Sequence, residues 1–85
     1  MKRLMKRLEE AERRADAIDQ AWENDYENEE LEKEFMKAYE EEHKAFNELA
    51  EAIVRFTAGQ IEKKTAATMI RAQRNELKAI ISKIA

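Results

Sequence analysis

An all-α fold follows from three observations. Apolar side chains recur at steps of three and four along three stretches of the chain, proline is absent, and the 85 residues include one glycine. Steps of three and four keep side chains on one side of an α-helix, so each stretch reads as one buried seam of an antiparallel, up-down-up three-helix bundle. Residues that favour strands and turns are too few for a sheet protein. A chain of this length forms one domain, here spanning residues 1–85, with room for one modest core and none for a deep substrate cleft.

The first seam is Met1, Leu4, Leu8, Ala11, Ala15, Ile18 and Trp22, which predicts a helix over about 2–24. It opens on a repeated tetrad, Met1-Lys2-Arg3-Leu4 and Met5-Lys6-Arg7-Leu8. As a free peptide such a segment would suit a membrane surface or a calmodulin-like groove. Its apolar residues continue the seam without a break, which assigns them to the core with a basic rim. Asn24, Asp25 and Asn28 then offer side-chain acceptors that compete with helical hydrogen bonds and cap a new start. A turn is expected there, although a bent continuous helix is compatible with the same residues.

The second seam is Phe35, Tyr39, Glu42, Phe46, Leu49, Ile53 and Phe56, on a helix expected over about 29–57. Gly59 follows it where a left-handed helix cap belongs. The third seam, Ala66, Ile70, Gln73, Leu77, Ile80 and Ile84, predicts a helix over about 63–84 that starts at either Glu62 or Thr65. Met36, Met69 and Ile81 border the seams and widen the apolar face, which makes a dimer a reasonable expectation.

Folding the chain at these turns brings Glu42 and Gln73 to the middle of the core, with Arg14 and Arg74 on the flanks at the same height. A bare carboxylate in a core costs several kcal/mol unless it is paired or neutralised. The expectation is a polar layer in which Glu42 bonds Gln73 and one arginine and sets register or association state. A small binding site at the same place is the sharper reading.

Charge is divided between the two ends. Residues 25–44 hold nine acidic and three basic side chains, whereas residues 63–85 hold six basic and one acidic, within a formal net charge of −3. The up-down-up order gathers Lys2, Arg3, Lys6, Arg7, Lys63 and Lys64 into a basic pole. The opposite, acidic pole includes Tyr26, Glu27, Glu29, Glu30 and Glu34, beside Trp22 and Tyr39 and partly offset by Lys78 and Lys83. Helix N-termini favour acids, yet the first and third helices begin with Lys and Arg. A basic pole of this kind suits nucleic-acid phosphate or an acidic protein patch. It has no interleaved aromatic residues and no helix-turn-helix glycine, so sequence-specific DNA reading is not expected.

Catalytic and metal chemistry find little support. The only serine, Ser82, has no nearby histidine in sequence, and no glycine-rich phosphate loop is present. Glu40 and His43 form a Glu-x-x-His pair, but both rotate away from the seam, so no metal and no cofactor is expected. Absent cysteine excludes a disulfide framework and a thiolate zinc site and fits a reducing compartment. Neither a membrane-length apolar run nor a signal-peptide core is present, so a soluble cytoplasmic protein is expected.

The expected function is non-catalytic: a helical module that binds a protein through its acidic and aromatic pole or associates with itself, with no membrane and no small-molecule substrate. The alternatives are a nucleic-acid-associated protein using the basic pole, and a small inhibitor whose acidic face mimics nucleic acid. In general character the chain resembles small all-helical proteins of phages and mobile elements, a likeness that carries no mechanism with it.

Overall fold

The computed structural model describes residues 1–84 and consists of four α-helices without strands among them: α1 (Lys2–Asn24), α2 (Glu29–Phe56), α3 (Lys63–Ala72) and α4 (Arg74–Ile84). The side chain of Ile84, expected to end the third seam, and residue Ala85 lie outside the described part. No described helix is long and apolar enough to cross a membrane.

α1 and α2 form an antiparallel hairpin that sets the long dimension of a body 46 Å by 19 Å by 19 Å. The turn between them breaks the chain where the asparagines are. The Asn28 side-chain oxygen accepts from the amides of Glu30 at 3.0 Å and Leu31 at 3.3 Å, satisfying two of the donors that a helix start leaves free. Glu29, Glu30 and Glu32 occupy the first turn of α2, where the helix dipole favours them.

The end of α2 closes differently from expectation. The Gly59 amide reaches the Val54 carbonyl at 2.9 Å and the Ala58 amide reaches Arg55 at 3.1 Å, the double bond of a Schellman cap. The left-handed cap position is therefore Ala58, at φ 53°, and Gly59 follows it at φ 81°. Thr57 ties the loop down: its hydroxyl donates to Ile53 and accepts from the Ile61 amide. Glu62 stands at the N-cap of α3 without a side-chain bond, and Thr65 lies inside the helix.

The largest departure is at Gln73. The expected single helix over 63–84 is two helices, with Gln73 at φ −128° and ψ 39° between them. The chain also turns back there. Lys63 pairs with Glu51 and Arg71 covers Phe46, so α3 runs against α2. Arg74 pairs with Glu12 and Lys78 with Glu9, so four residues forward on α4 correspond to three residues back on α1. Lys78, expected near the acidic pole, is thus held at the other half of the molecule.

Turning back has a packing reason. It delivers Leu77 and Ile81 into one continuous core with Met5, Leu8, Leu49, Ile53, Ala66 and Ile70. A straight helix would instead lay Ile81 beside Ile18, away from that cluster. Burying apolar area in one contiguous core yields about 25 cal/mol for every Å² removed from water. The exposed end of this arrangement is the other half of the hairpin, where among the described residues α1 and α2 have only each other.

Where they meet, the α2 seam is rotated from the one expected. Ala38, Ala45, Leu49, Ala52 and Ile53 are buried, whereas Tyr39 is 47% and Phe56 56% exposed. Alanines at heptad spacing, with Ala15 buried on the facing helix, let the two backbones approach closely and move the large rings to the flank.

Candidate partner-binding face

The displaced rings form an ordered series along the flank of α2. Residues 35, 39, 43 and 46 are three or four apart and therefore share a face. Trp22, from the end of α1, stacks on Phe35 with centroids 5.4 Å apart, and Phe35 stacks on Tyr39 at 6.1 Å. Tyr39 meets His43 edge-on at 4.3 Å. One step on, the Arg71 guanidinium lies over the Phe46 ring at 5.0 Å from its centroid. The Trp22 indole N–H donates to the Tyr26 carbonyl at 3.2 Å, which fixes the start of the series to the inter-helix turn.

The series has two environments. At Phe46 it is covered by α3. From His43 to Trp22 no helix lies over it among the described residues, and Tyr39 and His43 are open to solvent. Carboxylates line the α1 side. Glu12 is held by both terminal nitrogens of Arg74, one of them at 3.0 Å. Asp16, Asp19 and Glu42 make no ion pair among the described residues.

A groove of about 340 Å³ lies at the boundary between the two environments, lined by Glu12, Glu42, His43, Phe46, Arg71 and Arg74. Burial raises the pKa of Glu42, and the nearby Glu12 and Asp16 charges add to the rise against the pull of His43 and Arg74. The hydrogen bond to Glu12, opposed by burial, raises the pKa of Arg74. The Arg74 Nε also donates to the Ile70 carbonyl at 3.1 Å, which occupies an acceptor at the chain break.

The expected polar layer is not assembled. No polar or charged residue is fully buried among those described. Gln73 is exposed at the break, Glu42 is half-buried without a hydrogen bond, and Arg14 pairs with Glu41 on the opposite flank at 2.9 Å. Arg74 also meets an acid other than Glu42, and that acid is Glu12. Reversal of the chain at Gln73 is the cause, because the residue serves the turn instead of a seam.

The residues named at the two charged ends are exposed, and Lys78 has left the acidic end for Glu9. Tyr26 is 72% exposed in the turn, with Glu27, Glu29, Glu30 and Glu34 exposed around it. At the other end Lys2, Arg3, Lys6, Arg7, Lys63 and Lys64 are exposed, though Arg7 is paired with Glu48 at 2.8 Å and Lys63 with Glu51 at 3.6 Å. Glu40 and His43 are separated by their rotation on α2. Glu40 flanks a second groove with Met36 and Lys37, while His43 joins the rings. No group of three metal-ligating side chains converges among the described residues.

Periodicity and size assign Phe35, Tyr39 and Phe46 to the core, even as the acidic pole brings charge beside Trp22 and Tyr39. The contrary signal was present in the heptad alanines at 38, 45 and 52, which supply an alternative seam. No protein-family model matches this chain, and no curated protein or solved structure matches it either.

Proposed function

We propose that this chain is a non-catalytic helical module that binds a protein partner on the open half of its hairpin. One observation carries the reading: the Trp22–Phe35–Tyr39 stack runs half-exposed beyond the point where α3 stops covering the same flank. Ordered aromatic area beside charge is the usual source of anchor residues at interfaces, because rings supply contact area at small conformational cost. The exposed Tyr26 and the tip acids extend this face to the end of the molecule.

A photo-crosslinking residue placed at Tyr26 or Tyr39, and separately at Arg3 or Lys64, tests the proposal in cells that make the protein. Adducts with a second protein from the first pair are expected. Adducts of twice the 10.0 kDa chain mass would assign the face to self-association. Nucleic-acid adducts confined to Arg3 and Lys64 would replace the proposal with the basic-pole alternative. That binding would fall steeply with salt and disappear when Lys2, Arg3, Lys6 and Arg7 are changed to glutamate.

A further inference from the structure

The covered half of the hairpin shows what chemistry the open half accepts. There, two arginines on either side of the Gln73 break, Arg71 at the end of α3 and Arg74 at the start of α4, dock the chain on the α1–α2 flank: Arg71 stacks on Phe46 of α2, and Arg74 grips Glu12 of α1. The acceptors are one ring and one carboxylate, facing each other across the hairpin.

The same pair recurs one heptad nearer the tip. Seven residues back from Phe46 is Tyr39, and seven residues on from Glu12 is Asp19. α1 and α2 are antiparallel, so both steps lead toward the tip, each by about 10.5 Å, and each returns to nearly the same face of its helix. Tyr39 is solvent-exposed, and Asp19 has no ion pair among the described residues. Phe35 and Trp22 extend the ring series beyond Tyr39, and Asp16 lies four residues from Glu12 on the carboxylate side.

We infer that the open half takes a basic amphipathic helix of another protein, one that presents arginines to Tyr39 and Asp19 as Arg71 and Arg74 are presented to Phe46 and Glu12. This inference rests on the docking reading above and names the class of partner. Charge argues against a second copy laid tip to tip. Residues 25–44 carry nine acids against three bases, so two tips laid together would repel, whereas a basic helix is attracted. Arginine is favoured over lysine because its planar group both stacks on a ring and forks onto a carboxylate.

The test uses the full chain and a lactam-stapled amphipathic peptide of about 15 residues, long enough to hold helical form with its staple. The peptide carries two arginines three residues apart, a spacing that keeps both on one face of a continuous helix, and a second version replaces both with citrulline, which keeps the shape and removes the charge. Trp22 is the sole tryptophan, so its fluorescence reports directly on the open half. Saturable binding of the arginine peptide is expected, weakened at least about tenfold by citrulline and about fivefold by Asp19→Asn or Tyr39→Leu. Glu76→Gln, on the solvent side of α4, should leave it unchanged.

Equal binding of the citrulline peptide would overturn the arginine inference while leaving the docking face in place. Failure of both peptides to bind would also overturn it, and crosslinking at Tyr26 and Tyr39 would then decide the broader reading separately. A dimer in light scattering that disappears with Tyr39→Leu would show that a second copy covers this face, and would likewise refute the inference.

Discussion

Replacing Arg74 with methionine keeps the aliphatic stem and removes one of the two charged groups that join α4 to α1. Hydrogen bonds to charged groups contribute about 1.5–3 kcal/mol when shielded, and exposed ion pairs about 0–1 kcal/mol. The Arg74 and Glu12 side chains are 26% and 29% exposed, which places their two-bond contact between these limits, at about 2 kcal/mol. Losing the Nε bond to the Ile70 carbonyl adds about 0.5 kcal/mol, since water reaches part of that site. The total of about 2.5 kcal/mol corresponds to a fall in Tm of about 10–20 °C for a chain of this size. A double-mutant cycle with Glu12→Gln, read by urea unfolding and far-ultraviolet circular dichroism, isolates the pair. It should give a coupling of about 1.5–2 kcal/mol, against less than about 0.5 kcal/mol for a matching cycle on the more exposed Arg14 and Glu41. Equal couplings for the two pairs would refute the argument that Arg74 fixes the turned-back α4.

Ala58→Gly should stabilise the protein by about 0.5–1 kcal/mol, because a left-handed alanine costs about 1–2 kcal/mol and glycine returns only part of that as chain entropy. Gly59→Ala should cost about 1 kcal/mol through its φ alone, since an added Cβ there meets nothing within 4 Å; both shifts are read from thermal unfolding. Glu42 holds its proton more tightly folded than unfolded, so its contribution to stability falls as pH rises from the ordinary carboxylate range through the raised value. Glu42→Gln should therefore be more stable than the wild type at neutral pH and lose that advantage in acid, and a pH-independent difference would contradict the assignment. A spin label at Ser82 should broaden the methyl signals of Met1 and Met5 and spare Trp22, which sits about 20–25 Å further along the hairpin. The reverse pattern would restore the straight third helix.

The bounds of the two long helices were readable because their ends are chemical events. Asn28 caps one, and the Thr57–Gly59 segment closes the other. The reversal at Gln73 left no such mark. Ala66, Ile70, Leu77 and Ile81 keep the three-and-four spacing straight through it, and only tertiary burial of Leu77 and Ile81 against Met5 and Leu8 decides the direction. The proposed face was half legible. Its acids and Tyr26 stand out as charge and aromatic density, but Phe35, Tyr39 and Phe46 resemble core until the alanines at 38, 45 and 52 are recognised as the closer-packing seam. Periodicity identifies an apolar stripe, and residue size then determines which edge of that stripe the neighbouring helix can approach.

Among the described residues the hairpin is covered along one half only, which gives the molecule a gradient of local stability. Near Leu8, Leu49 and Ile70, opening an amide requires segments of all four helices to separate, while around Trp22 and Phe35 it requires a single helix pair to part. Amide hydrogens of the tip should therefore exchange with solvent through small, frequent openings, and those of the closed half only through global unfolding. A helix bound along Tyr39 would supply the missing third wall, so occupancy would be seen as slowed exchange at the tip before any change in the fold as a whole.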